Sequence, residues 1–220
     1  MGTFAMLQPS DWQAIGLTLQ LAGVTTLVLL LLATPIAWWL AFSSSRWRAI
    51  VQAIVAMPLV LPPTVLGFYL LLLLSNSFAF TFTGIVIGSV IYSLPFAVQP
   101  LHESFRTMGR RPLQIAASLG AGRWDQFRTI VLPLCRGGFV VAATLVFAHT
   151  LGEFGVILMI GGSIPGETQV LSVLIYDHTE ALNYRAAHTL SLGMIAVAML
   201  VLIIVYGRWS KSPLQLGSER

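Results

Sequence analysis

Long apolar runs separated by short polar segments dominate the chain. A helix needs about 20 apolar residues to cross the hydrocarbon core of a bilayer, so each run predicts one membrane-spanning helix. We therefore expect an all-α integral membrane protein with about five transmembrane helices in a single transmembrane domain spanning residues 1–220. The predicted spans are residues 16–42, 50–74, 84–101, 138–160 and 186–206.

Prolines interrupt the apolar pattern of the second span. Pro58, Pro62 and Pro63 all fall within it, and proline lacks the N–H group that a helix interior requires. The second span is therefore predicted to be bent or broken, whereas Pro35 predicts a kink in the first. At the start of the chain, Ser10 or Asp11 is expected to cap a helix that begins near Trp12.

The basic residues fall almost entirely on one side of the predicted membrane. If the N-terminus is outside, the inner segments hold eleven of the twelve Lys and Arg residues, and the outer segments hold only Arg185. Because inner loops carry the excess of Lys and Arg, the N-terminus is predicted to be outside and the C-terminus inside.

Composition excludes several classes of protein. Hydrophobic residues make up 56% of the chain and charged residues 9%, against about 25% charged in soluble proteins, so lipid must cover much of the surface. The basic residues do not form a stripe with interleaved aromatics, which argues against nucleic acid. The single Cys135 excludes an internal disulfide, and we expect neither a metal nor another cofactor.

A charged segment, residues 103–136, separates the third and fourth spans and holds eight of the twenty charges of the chain. Pro112 favours a helix start, and Leu113, Ala116, Ala117 and Gly120 then share a face at helical spacing. Glycines around Ala121 predict a break before a second short helix. From spacing alone, this segment is either a ridge that fits another protein or an interfacial helix lying on lipid.

The charged segment also contains a pattern of fixed spacing. Nine residues separate Gly120 from Ile130-Val131-Leu132-Pro133, and Ala116 lies four residues before Gly120. This pattern resembles a signature of ABC importer permeases, although Gln114 replaces the usual Glu. The resemblance implies a cytoplasmic coupling helix that seats in the ATP-hydrolysing subunit. The implied contact residues are Gln114, Ala116, Ala117, Leu119, Gly120, Ala121, Arg123 and Trp124.

Further segments are similar to permeases of molybdate importers, a group that shares much of its pattern with sulfate permeases. They include the proline-rich residues 57–67, Leu151-Gly152-Glu153-Phe154-Gly155 and Ile164-Pro165-Gly166-Glu167-Thr168. The resemblance implies the type I importer fold and a bacterial inner membrane location. It also implies a second copy of the chain, two ABC ATPase subunits and a periplasmic molybdate-binding protein as partners. The chain carries no phosphate-binding G-x-x-x-x-G-K-[ST] loop, so we do not expect it to be an enzyme.

Glu153 and Thr64 are the candidate pore or gate residues. Glu153 is expected about 12 Å below the Gly161 end of the fourth span, at helical rise, and an ionisable residue at such depth is usually functional. The alternative for Glu153 is a structural hydrogen bond to a neighbouring helix, and for Thr64 a bond to its own helix. Because no Arg or Lys lies inside a span, we expect no tight anion site in mid-membrane.

The outer loop between the fourth and fifth spans contains Pro165, Gly166, Glu167 and Thr168. The resemblance implies that this loop contacts the binding protein, and the alternative is a solvated connector. Two other classes compete with the importer. A membrane enzyme would need paired carboxylates or a metal-ligand cluster, and a gradient-driven secondary transporter with inverted repeats would need even halves.

Overall fold

The computed structural model describes residues 8–75 and 77–209, which form helices and turns. The helices are α1 (Pro9–Phe42), α2 (Arg48–Ala56), α3 (Pro63–Leu74), α4 (Phe82–Met108), α5 (Arg111–Ser118), α6 (Arg123–Gln126), α7 (Leu132–Gly152), α8 (Gly155–Gly161), α9 (Leu171–Glu180) and α10 (Tyr184–Trp209). A 3-10 turn, Met57–Leu59, follows α2, and a π-helical turn, Phe127–Val131, links α6 to α7. The prediction of an all-α membrane fold is confirmed.

Four described helices are long and apolar enough to span a bilayer, and the count reaches five if the bent pair α2–α3 is one span. The bend between these two helices is 106°, as the prolines of the second span predict. Helix α1 begins at Pro9 rather than near Trp12, because Asp11 accepts a hydrogen bond from the Gln8 N–H at 2.7 Å and closes the first turn. Its 34 residues give a length of about 51 Å, well beyond the hydrocarbon core.

Helix α4 is the centre of the larger unit, residues 8–174, and packs against α1 and α7. Small residues allow close approach, as is usual between membrane helices. Ala33 and Ala37 of α1 are fully buried, and a Cβ added at Gly138 of α7 would lie 2.4 Å from the Ser104 Cβ. Helix α10 belongs to the other unit, residues 175–209, and carries large exposed apolar side chains, in keeping with a surface covered by lipid.

Helices α4 and α7 continue into the charged segment from either side. Helix α4 extends to Met108 and α7 starts at Leu132, so the ends of residues 103–136 are rigid extensions of two spans. The predicted fourth span is interrupted. Helix α7 ends at Gly152, Glu153 is extended, and α8 begins at Gly155.

Candidate functional site

The turn after α5 is a glycine-dependent helix cap. The Gly120 N–H bonds to the Ala117 carbonyl and the Ala121 N–H to the Ala116 carbonyl, both at 3.0 Å. Gly120 has φ +86°, a left-handed conformation that glycine adopts without steric cost. The two bonds form a Schellman motif, and the Gln126 side chain donates to the Ala121 carbonyl at 2.8 Å. The turn that presents the predicted coupling residues is therefore held in one conformation.

The predicted coupling residues form two groups, an exposed group that we call the crest and a buried group that we call the base. Leu119 is 82% exposed and Trp124 69% exposed, and Gln114, Ala117, Gly120 and Arg123 are also exposed. Ala116 is buried and Ala121 partly buried.

The base is anchored because Leu113 and Phe127 pack against the main apolar core. Exposed apolar side chains on an anchored turn are typical of a protein-binding surface.

Arg110 ties the charged segment to the first span. Its guanidinium donates to the Phe42 carbonyl and lies 5.5 Å from the centre of the Phe42 ring. The Phe42 carbonyl belongs to the last turn of α1, where carbonyls lack a helical partner. The charged segment is therefore linked to α1 through Arg110, in addition to its direct continuation into α4 and α7.

Two helix breaks meet inside the larger unit. The first separates the 3-10 turn from α3 at Pro62 and Pro63, and the second separates α7 from α8 at Glu153. A Cβ added to Gly155 would lie 2.7 Å from the Pro63 Cβ, so the two breaks are in contact. Thr64, directly after Pro63, is exposed in the chain as described.

Glu153 is 4% exposed. Ser89 of α4 lies beside its carboxyl group, but neither carboxylate oxygen nor the Ser89 hydroxyl has a hydrogen-bond partner of acceptable geometry within the described residues. Thr25 and Thr150 also have unpartnered buried hydroxyls there. An unsatisfied buried polar group costs about 1–3 kcal/mol, so the unpartnered carboxyl destabilises this conformation.

The backbone at this break is satisfied, in contrast to the carboxyl. Ser172 of α9 donates to the Glu153 carbonyl at 2.6 Å. Sequence analysis did not identify Ser172, because nothing in the local pattern connects two positions nineteen residues apart. His149 of α7 bonds to Ser93 at 2.9 Å and stacks on Phe96, both of α4, so its contacts hold these two helices together.

The outer loop is a tight turn closed by a buried threonine. Pro165 and Gly166 occupy its centre, Gly166 has φ +77°, and the Glu167 N–H returns to the Ile164 carbonyl at 3.1 Å. Thr168 is fully buried and donates to the Gly161 carbonyl at 2.7 Å. The exposed residues of the predicted contact are therefore Pro165, Gly166 and Glu167, whereas Thr168 holds the loop shape from within.

Sequence comparison with known proteins decides the family. The profile described as "Binding-protein-dependent transport system inner membrane component" matches residues 33–211. The chain belongs to this family. That range includes both helix breaks, the charged segment and the outer loop. The chain is thus a multi-pass inner membrane protein of the transport-permease type.

Individual members of this permease family align with nearly the whole chain. The molybdenum transport system permease protein ModB of Azotobacter vinelandii is 52% identical over 91% of this chain and 95% of that protein. ModB of Escherichia coli K12 is 32% identical over 90% of this chain and 93% of that protein. A bacterial ABC transporter that imports alginate has a TM-score of 0.74 at 17% identity, covering 94% of this chain and 81% of that chain. This last likeness concerns the fold.

Proposed function

We propose that this chain is the membrane-spanning permease subunit of an ATP-driven importer that moves molybdate, and the similar dianion tungstate, into the cytoplasm. The observation that carries the proposal is the exposed crest of Leu119 and Trp124 on an anchored turn. The 52% identity to a molybdenum transport permease supports the substrate. In this proposal the working complex contains two copies of the chain, two ABC ATPase subunits and a periplasmic molybdate-binding protein.

The energy comes from the partner ATPases in this mechanism. When they bind ATP and close, they draw together the two crests, one from each permease copy. Because α4 and α7 run directly into the coupling segment and Arg110 bonds to the end of α1, three helices move with it. The pathway then changes from inward-open to outward-open, so that the binding protein can deliver its anion.

We place the gate at the two helix breaks. Interrupted backbone at membrane depth is tolerated where it is buried in protein or lines a cavity, and these breaks bring Glu153 and Thr64 to the same region. We infer that the Glu153 carboxyl obtains hydrogen-bond partners when the two breaks rearrange between the inward-open and outward-open states. Selectivity resides in the binding protein, which Pro165, Gly166 and Glu167 contact on the outer side.

Reconstitution tests the proposal. Proteoliposomes holding the permease, its ATPase and the binding protein should accumulate molybdate only with ATP, and excess sulfate should compete weakly. Leu119→Ala should reduce co-purification with the ATPase, because burial of a leucine contributes about 2 kcal/mol, or about thirtyfold in affinity. Leu73→Ala is the matched control, since Leu73 of α3 is 78% exposed but lies outside the coupling segment.

Three outcomes would contradict the proposal. Uptake that needs an ion gradient but no ATPase would indicate a secondary transporter. ATP-dependent uptake of sulfate in preference to molybdate would indicate a sulfate permease. Labelling of a cysteine at position 118 from the periplasmic side, in intact cells, would contradict the proposed orientation, with the N-terminus periplasmic and the C-terminus cytoplasmic.

A further inference from the structure

A groove of about 400 Å³ lies between α2 and α4, next to the end of α4 that enters the coupling segment. Its walls combine apolar side chains with amide and imidazole groups. They are formed by Leu40, Gln52, Ala53, Val55, Ala56, Val98, Gln99 and His102. Gln52 belongs to α2 and Gln99 to α4, so two amide groups line the same space from facing helices.

A guanidinium group contacts His102, one of the residues that line this groove. Arg48, the first residue of α2, is half-buried, and its Nη2 lies 3.4 Å from the His102 Nε2. The His102 ring also contacts the backbone of Leu40 at the end of α1. The imidazole thus positions the guanidinium and occupies one of its five N–H donors, which leaves the others to a ligand.

The two glutamines are informative because of where they lie. Gln52 and Gln99 are exposed in the chain, yet each falls inside a predicted membrane span. Both lie two residues from the end of their spans, and an amide without a partner in hydrocarbon costs about 2–7 kcal/mol, so contact with water, a headgroup or a polar ligand is favoured for both side chains. The charged groups nearest His102 are Arg48, Arg106 and Glu103, a set with a net positive charge.

We propose that this groove is a transient site for a tetrahedral oxyanion at the inner end of the pathway. The proposal rests on the proposed function and extends it, because it assigns the anion a binding site within this chain. Arg48 supplies charge, and Gln52 and Gln99 donate neutral hydrogen bonds. A groove this large leaves the anion partly hydrated, so binding is weak and release to the cytoplasm remains easy. The site lies at the end of a span, which agrees with the absence of fixed charge in mid-membrane.

Cysteine protection tests this site in the purified permease–ATPase complex. Gln99→Cys is introduced together with Cys135→Ser, which removes the single native cysteine, and labelling by uncharged N-ethylmaleimide is followed. Millimolar molybdate should slow labelling about threefold, as expected for about two-thirds occupancy, relative to chloride at equal ionic strength. Ser44→Cys is the control, since Ser44 is exposed two residues from Arg46 but outside the groove.

Two further variants separate the site from indirect effects. Arg48→Gln should abolish protection. Gln52→Leu, which leaves every charge in place, should weaken it. Protection that survives in both variants, or that is absent while the wild-type complex imports molybdate, would overturn the site and leave the proposed function standing. Protection by molybdate in a complex that does not import it would do the reverse.

A final experiment identifies the source of the bound oxyanion. A phospholipid headgroup carries similar chemistry, so the experiment is repeated in nanodiscs with and without phosphatidylglycerol. Protection by molybdate in both kinds of nanodisc supports the free oxyanion. Protection by phosphatidylglycerol alone, with no further effect of molybdate, would overturn the proposal in favour of a lipid site.

Discussion

The two helix breaks that meet at Pro63 and Gly155 have different physical origins. At the first, two consecutive prolines remove backbone donors and force the preceding residue out of the helical region. At the second, no proline is present. Glu153 is extended between Gly152 and Gly155, which weaken a helix by about 1 kcal/mol each without ending it, and contacts from elsewhere support the break, among them the hydrogen bond from Ser172. One break is therefore local, whereas the other depends on the tertiary structure.

The largest effect is expected from Glu153→Leu, which removes a buried carboxyl that has no hydrogen-bond partner among the described residues. The variant should fold, because an unpartnered buried carboxyl is lost, and its Tm in detergent should not fall. Uptake should drop about tenfold or more, since loss of an interaction worth about 1.5 kcal/mol in the other state corresponds to that factor. Glu180→Gln, at an exposed acid, is the control. Unchanged uptake in Glu153→Leu would remove Glu153 from the gate.

The second prediction concerns the contact between the breaks. Gly155→Ala places a methyl group 2.7 Å from the rigid Pro63 ring, an overpacking that costs about 1–3 kcal/mol. A fall in Tm of about 5 °C is expected for a chain of this size. Gly16→Ala meets no atom within 4 Å and should leave Tm unchanged or raise it. Equal Tm values for the two variants would mean that the breaks do not pack as described.

The third prediction tests whether the second break is held from outside its own segment. Ser172→Ala removes the donor to the Glu153 carbonyl and should lower stability by about 1 kcal/mol. Thr144→Ala removes a hydroxyl that bonds to the Val140 carbonyl of its own helix and should be nearly neutral. Thermal unfolding of the two purified variants makes the comparison. A break that needs no support from α9 would give the same result for both.

The smallest effect is expected at the first break. Pro62→Ala should leave the bend in place, because Pro63 still restricts the residue before it. Spin labels at Ile54 and Tyr69, introduced in a Cys135→Ser background, would report the distance across the 106° bend. That distance should match the value with both prolines present and change when both are replaced. Straightening in the single variant would show that the first break is less local than its prolines indicate.

The shape of the charged segment around α5 was predictable from sequence because its determinants are local. Pro112 starts α5 and Gly120 ends it with a left-handed residue, both of which follow from covalent geometry. The spacing did not reveal which side chains face inward. Ala116 and Ala117 are neighbours in a short helix, yet Ala116 is buried and Ala117 exposed, since the orientation of α5 depends on how Leu113 and Phe127 pack on the core.

The sequence by itself determined the class, the apolar spans, the bend at the prolines and the position of the charged segment, because hydropathy and backbone chemistry act over a few residues. Only the tertiary structure decided that the fourth span breaks at Glu153, that Thr168 lies inside its loop, and that Gln52, Gln99 and His102 share a groove. These features depend on groups far apart in the chain, which packing brings within hydrogen-bonding or van der Waals distance.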